Sequence, residues 1–218
     1  MGKGSNFERD ICKQLSLWWT NQERDDVFWR TAGSGAMAKV RSKVQQQTFG
    51  QYGDIQATDP IGQPLIDLCS IELKRGYSKG SLMDMLDKKD HMKHQPMEEF
   101  ILQAMGDAKN AGSPFWLVIT RRDSRQSTLT MPLSFYRLLP KKPFMPICKM
   151  KIHLRPFKLK VDKWKDKKGK KHIHTEKIVL DNIKVIVVSL PLQNFLDNIS
   201  SKVIKVLANG QRKKKTTV

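Results

Sequence analysis

Phe7, Ile11, Leu15 and Trp18 recur at three- and four-residue spacing, one apolar stripe that predicts a helix over about residues 5–20, with Ser5 or Asn6 as its cap. Trp18 and Trp19 read as core. Residues 27–31, Val-Phe-Trp-Arg-Thr, read as a strand that runs into the small-residue loop 32–36, where backbone can approach a ligand closely. A polar stretch at about 39–51 leads to a short apolar run, Gly53-Asp54-Ile55-Gln56-Ala57. Asp59-Pro60-Ile61-Gly62 signals a turn. Residues 70–75, Ser-Ile-Glu-Leu-Lys-Arg, then read as a strand whose side chains alternate. Glu72 and Lys74 project from one face, and Ile71 and Leu73 from the other into a core.

Residues 76–97 are polar and Met-rich and predict a loop with some helix; His91 and His94 share a face there without an evident third ligand. Phe100, Ile101, Ala104, Met105 and Ala108 mark a helix over 97–111, ended by Gly112-Ser113-Pro114. The continuous apolar run at 115–120 is a buried strand. Strand, helix and strand in succession suggest an α/β crossover. After Pro140 the pattern changes: Lys149, Lys151, His153 and Arg155 alternate with Met150, Ile152 and Leu154. Pro156-Phe157 then shifts the phase, which reads as one strand with a bulge. A charged turn at 163–171, strands at 178–180 and 183–190, and a helix over about 192–207 complete the pattern. The expected plan is a core at 1–140, a basic β-rich extension with a closing helix at 141–210, and a disordered basic tail at 211–218.

The 218 residues, 39% of them hydrophobic, suffice for one core or a core plus a smaller appendage. No apolar run has the length of a membrane span, and the first residues lack a signal-peptide core, so a cytoplasmic protein with no membrane partner is expected. Cys12, Cys69 and Cys148 lack zinc spacing and read as buried free thiols. Charge changes the picture most. Residues 1–140 carry 19 basic and 16 acidic side chains, whereas 141–218 carry 21 and 5. Nearly all of the +19 net charge therefore sits in the C-terminal third, a field that favours a polyanion such as nucleic acid. A basic tail that only aids solubility is the plainer alternative.

If the runs at 53–57 and 70–75 pair, Asp54 and Glu72 converge at one sheet edge. Two carboxylates there suit a hard divalent cation such as Mg²⁺ (or Mn²⁺), which takes oxygen ligands. Lys74 beside it would hold a water or a charged phosphate, the equipment for hydrolysing a phosphodiester. On its own, Glu-x-Lys on a strand also describes a solvated face with a weak ion pair.

Four segments in order carry a resemblance: Ser5-Asn6-Phe7-Glu8-Arg9-Asp10-Ile11; Phe28-Trp29-Arg30-Thr31-Ala32-Gly33-Ser34-Gly35; Gly53-Asp54; and Ile71-Glu72-Leu73-Lys74. Over about residues 4–120 the chain resembles the archaeal-type Holliday-junction resolvases of the restriction-endonuclease-like PD-(D/E)xK nuclease superfamily. The resemblance implies an α/β fold with a mixed central sheet flanked by helices. It implies that Asp54 and Glu72, with the Leu73 backbone carbonyl, bind the metal, and that Glu8 reaches it from the first helix, where its plainer role is to favour the helix dipole. Lys74 would position or activate the attacking water, and Arg30 and Ser34 would lie near the scissile phosphate. Gly53 stands where that family usually has proline, the stretches 39–51 and 76–97 are longer than a minimal resolvase needs, and 121–218 has no counterpart.

The expected activity is Mg²⁺-dependent endonucleolytic cleavage of DNA, with branched DNA such as four-way junctions as substrate, by a bacterial, archaeal or phage-encoded enzyme. Paired cuts across a symmetric junction call for a homodimer, for which an apolar face of the 97–111 helix or the C-terminal strands is a candidate. A restriction-type or mobile-element nuclease on duplex DNA and a basic nucleic-acid-binding protein without catalysis are the alternatives. Residues 149–171 are expected to form a basic hairpin arm in which Lys149, Lys151, Arg155, Lys167, Lys168, Lys170 and Lys171 grip the DNA backbone.

Overall fold

Helix α1 (Lys3–Trp19) buries Phe7, Ile11, Leu15, Trp18 and Trp19. It begins ahead of Ser5 and Asn6, so neither caps it. The computed structural model describes residues 3–31, 52–77, 81–87, 95–140, 147–154, 157–165, 171–179 and 182–216. Strand β1 (Phe28–Arg30) pairs antiparallel with β2 (Ile55–Ala57) as a separate ribbon, Arg30 opposite Ile55. The expected pairing of β2 with the Glu72 strand is absent: Asp54, just ahead of β2, makes that junction instead.

The Pro60–Gly62 turn is capped by Asp59 and passes into α2 (Gln63–Leu68), a helix the turn signals concealed. Pro64 lies in its first turn, where a missing amide costs nothing. Strand β3 (Cys69–Arg75) follows, then the short α3 (Met83–Leu86) and α4 (Pro96–Ala111). A capping box of Gln95 and Glu98 starts α4, and Gly112 at φ 67° ends it. Next come β4 (Phe115–Arg121), β5 (Thr128–Pro132), α5 (Leu133–Tyr136), β6 (Cys148–Leu154), β7 (Phe157–Lys165), β8 (Lys171–Val179), β9 (Ile183–Pro191), α6 (Leu192–Asn198) and α7 (Ser201–Thr216).

The main sheet has the order β3-β4-β5-β9-β6, with β3 and β4 parallel and the other pairs antiparallel. The β3–α4–β4 unit is the crossover that the apolar pattern predicts. This mixed sheet flanked by helices is the architecture expected of a restriction-endonuclease-like core. On one face Ile71, Leu73, Leu117, Leu129 and Val188 pack against α1, α2, α6 and α7 residues. On the other, Val118, Ile152, Leu154 and Val187 pack beneath α4.

Three C-terminal expectations change. The strand with a bulge is two strands in different sheets, β6 in the main sheet and β7 in a two-stranded hairpin with β8; Arg155 and Pro156 between them lie outside the described residues. The closing helix is two helices, because Ile199 is extended and fully buried and its carbonyl accepts from Trp18 Nε1 at 2.8 Å. The 211–216 segment, expected as a disordered tail, continues α7. Strands from both sides of residue 140 share one sheet, in which β9 and β6 follow β3, β4 and β5. The apolar side of α4 is also occupied within the chain, so it is not an open dimer face: Phe100, Ile101, Ala104 and Ala108 are all buried. Of the thiols, Cys12 and Cys69 are buried and Cys148 is exposed. Among the described residues, no helix is long and apolar enough to cross a membrane.

Candidate active site

Asp54 reaches β3 because of the residue before it. Gly53 has φ 76°, and a Cβ there would lie 2.8 Å from the Ile71 carbonyl oxygen, a contact that side chains do not make. Glycine thus permits both the left-handed turn and the close approach. The Asp54 amide donates to the Ile71 carbonyl at 2.8 Å, and its carbonyl accepts from the Thr31 amide at 2.9 Å. Its carboxylate Oδ2 accepts from the Leu73 amide at 2.8 Å. Three hydrogen bonds therefore fix this buried acid between the end of β1 and the middle of β3.

On β3 the alternation places Glu72 and Lys74 on the α4 side. Glu72 is only 1% exposed. Its Oε1 accepts from Lys74 Nζ and from Gln103 Nε2 of α4. Its Oε2 is buried and accepts no hydrogen bond from the described residues. Burial, and after it the nearby Asp54 charge, push the Glu72 carboxyl up to about 8, and the Lys74 ammonium offsets this only in part. For Lys74, burial works against the charged form. Glu72, with Asp54 and Tyr77, outweighs it and holds the ammonium above the usual lysine range. Lys74 Nζ also stands 5.6 Å from the centroid of the Phe100 ring, on whose edge Tyr77 packs.

Glu8 enters from α1, and Arg30 Nη1 donates to its Oε2 at 3.3 Å. Burial first, then Asp54, raise the Glu8 carboxyl, while Arg30 and Lys74 act to lower it. Glu8, Asp54, Lys74 and Arg30 thus share one electrostatic neighbourhood. Among the described residues, no three His, Cys, Asp or Glu side chains close into a preassembled metal cage. The oxygen donors nevertheless fit a hard cation. Asp54 is bonded to the strand that carries Glu72, and a buried carboxylate oxygen without a donor among the described residues is a costly arrangement that a bound cation would relieve.

The other expected contacts fall elsewhere. Lys149 and Lys151 are exposed on β6, the edge strand four positions from β3, roughly 19 Å away at the usual strand spacing. By register Lys149 stands opposite Val188, whose side chain packs in the α1-side core, so these lysines point to the sheet face opposite Glu72. Ser34, Arg155, Lys167, Lys168 and Lys170, like His91 and His94, lie outside the described residues, and Lys171 opens β8.

Two contributors escape the sequence pattern. Gln103 lies on a helix 31 residues after Glu72; its only signal is a polar side chain one turn after the buried Phe100 and next to the buried Ala104. The Thr31 amide, which holds Asp54 through its backbone, has no sequence signal.

Residues 1–174 match the model of a family described as phage putative PDDEXK endonuclease. No curated protein and no solved structure matches the chain.

Proposed function

The chain belongs to the phage PDDEXK endonuclease family, and on that premise we propose that it hydrolyses DNA phosphodiester bonds with Mg²⁺ or Mn²⁺ held by Asp54 and Glu72. The observation that carries this reading is the buried Glu72 carboxylate, one oxygen shared by Lys74 and Gln103 and the other without a donor among the described residues, beside an Asp54 locked to the same strand. Asp54 and Glu72 would hold the cation, which would supply a water of lowered pKa and positive charge against the developing charge on the phosphate.

The chain's own residues supply the rest. The Leu73 amide fixes the Asp54 carboxylate, and the Leu73 carbonyl is a third oxygen at the same point of the strand. Lys74, kept charged by its acidic neighbours, positions the attacking water or the scissile phosphate. Glu8 adds an acid from α1. Arg30, held by Glu8 in the absence of DNA, and Ser34 contact the phosphate.

Plasmid nicking in Mg²⁺ and in EDTA tests the activity. Metal-dependent nicking that is absent in Glu72→Ala supports it, and a parent that nicks nothing in Mg²⁺ or Mn²⁺ removes it in favour of a non-catalytic DNA-binding protein. For the substrate we propose branched DNA, on the likeness of residues 4–120 to junction resolvases, with a homodimer making the paired cuts. A second reading, a phage nuclease of the same fold that cleaves ordinary duplex, is equally compatible with the family. Rates on four-way junction, flap, nicked and linear duplex distinguish the two.

A further inference from the structure

Gln103 donates Nε2 to Glu72 Oε1 at 2.5 Å, and Lys74 Nζ donates to the same oxygen. Two donors therefore converge on Oε1, while the buried Oε2 accepts none from the described residues. The two oxygens of an ionised carboxylate are equivalent acceptors until their surroundings distinguish them. Here they are distinguished from the helix side. We propose that Gln103 is a positioning residue for the cation site: it clamps Glu72 through Oε1 and so leaves Oε2 as the atom presented to the ion. This rests on the reading of Asp54 and Glu72 as ion ligands.

Three features support the assignment. Gln103 sits mid-way along α4, a helix fixed at both ends by its capping box and by Gly112 and packed on β3 and β4, so its reach to Glu72 is set by a rigid element. Its amide is a neutral donor, so it orients the carboxylate without placing a second positive charge against an incoming cation. It also frees Lys74. An ammonium that must turn toward a water or a phosphate cannot be the sole group holding Glu72. With Gln103 in place, Oε1 keeps a donor when Lys74 leaves it. Partners that orient metal ligands in this way contribute about 10- to 100-fold in metal affinity.

Gln103→Met and Gln103→Leu put an apolar side chain of similar bulk in its place and remove the donor. Calorimetric titration of the full chain with Mn²⁺, without DNA, should show affinity lowered about 10-fold or more in both. DNA affinity in EDTA should match the parent, and nicking that fails at limiting Mn²⁺ should return at saturating Mn²⁺. Parent-like Mn²⁺ affinity in either folded variant overturns the assignment while leaving the nuclease reading intact. Loss of the cooperative melt in both variants also overturns it, because Gln103 would then serve the fold. A parent that neither binds Mn²⁺ nor nicks DNA overturns the nuclease reading and this inference with it.

Discussion

The Leu73 amide donates to Asp54 Oδ2 at 2.8 Å, so the strand that carries Glu72 and Lys74 also holds the acid opposite them. One bond serves the fold and the site together, and substitutions can separate the two. Asp54→Asn retains a carbonyl oxygen that can accept from Leu73, whereas Asp54→Ala leaves a buried donor unpaired at a cost of about 1–3 kcal/mol. Urea denaturation should find the Asn variant near the parent and the Ala variant weaker by that amount. Both should lose cleavage. An Asn variant that nicks plasmid within a few-fold of the parent would remove Asp54 from the site.

Gly53 gives a second separation. Alanine there meets a left-handed backbone, which costs roughly 1–2 kcal/mol, and a carbonyl oxygen 2.8 Å from its Cβ. Gly53→Ala should therefore destabilise by more than the backbone term alone and weaken Mn²⁺ binding, since relief of the contact moves Asp54 from β3. Thermal melts and calorimetry on the same sample check both halves.

The pH dependence follows from Glu72. Its folded carboxyl, raised to about 8 by burial and Asp54, titrates above the ordinary 4.5. Between those values the folded chain holds a proton that the unfolded chain has released, so this group makes stability fall as pH rises through the window. Glu8 is raised in the same direction. In EDTA the melting temperature should fall from about pH 5 to about pH 8 more steeply in the parent than in Glu72→Gln, which cannot ionise. Mn²⁺, which competes with that proton, should bind more tightly as pH rises across the same range. Equal slopes for the two proteins would show that Glu72 does not titrate there.

The basic hairpin stands apart from the acids in its chemistry. Strands β7 and β8 pair from Phe157–Val179 to Lys165–Lys171; Lys167, Lys168 and Lys170, in the charged turn expected between them, lie outside the described residues. Replacing these three and Lys171 with Ser should weaken DNA binding equally on all sequences. The magnitude of the salt slope should fall by about 0.9 for each phosphate that the variant no longer neutralises. Nicking at saturating DNA should persist. An unchanged affinity and slope would make the turn a solvated feature that never meets DNA.

What was legible in the sequence follows the physics of each segment. Helix α1, strand β3, helix α4 and strand β4 each bury a regular stripe or a continuous apolar run, and a one-dimensional period reports them directly. Helix α2 was hidden because Asp59-Pro60-Ile61-Gly62 reads as a turn and nothing more, although proline suits a helix start as well as a turn. Strand β6 ends at Leu154 and β7 begins at Phe157; alternation on both sides disguised the two as one strand. At the site, Glu72 and Lys74 share a face by strand period alone. Asp54 arrives by a glycine turn and backbone hydrogen bonds rather than by strand pairing, and neither leaves a periodic trace. Gln103 comes from across the crossover, a tertiary contact that no local pattern encodes.

Strand β9 lies between β5 and β6, and its register brings Val187 and Val188 to the two opposite cores. The sheet that begins at β3 therefore closes only when residues 183–191 arrive, more than a hundred positions later along the chain. During synthesis β5 presents an unpaired edge until that point, and β6 has no neighbour to dock against. Contacts this distant in sequence are slow to form and expose apolar surface while they wait. A ribosome would thus complete every acid of the site long before the sheet beneath them is whole, and cleavage should begin only after β9 has been made.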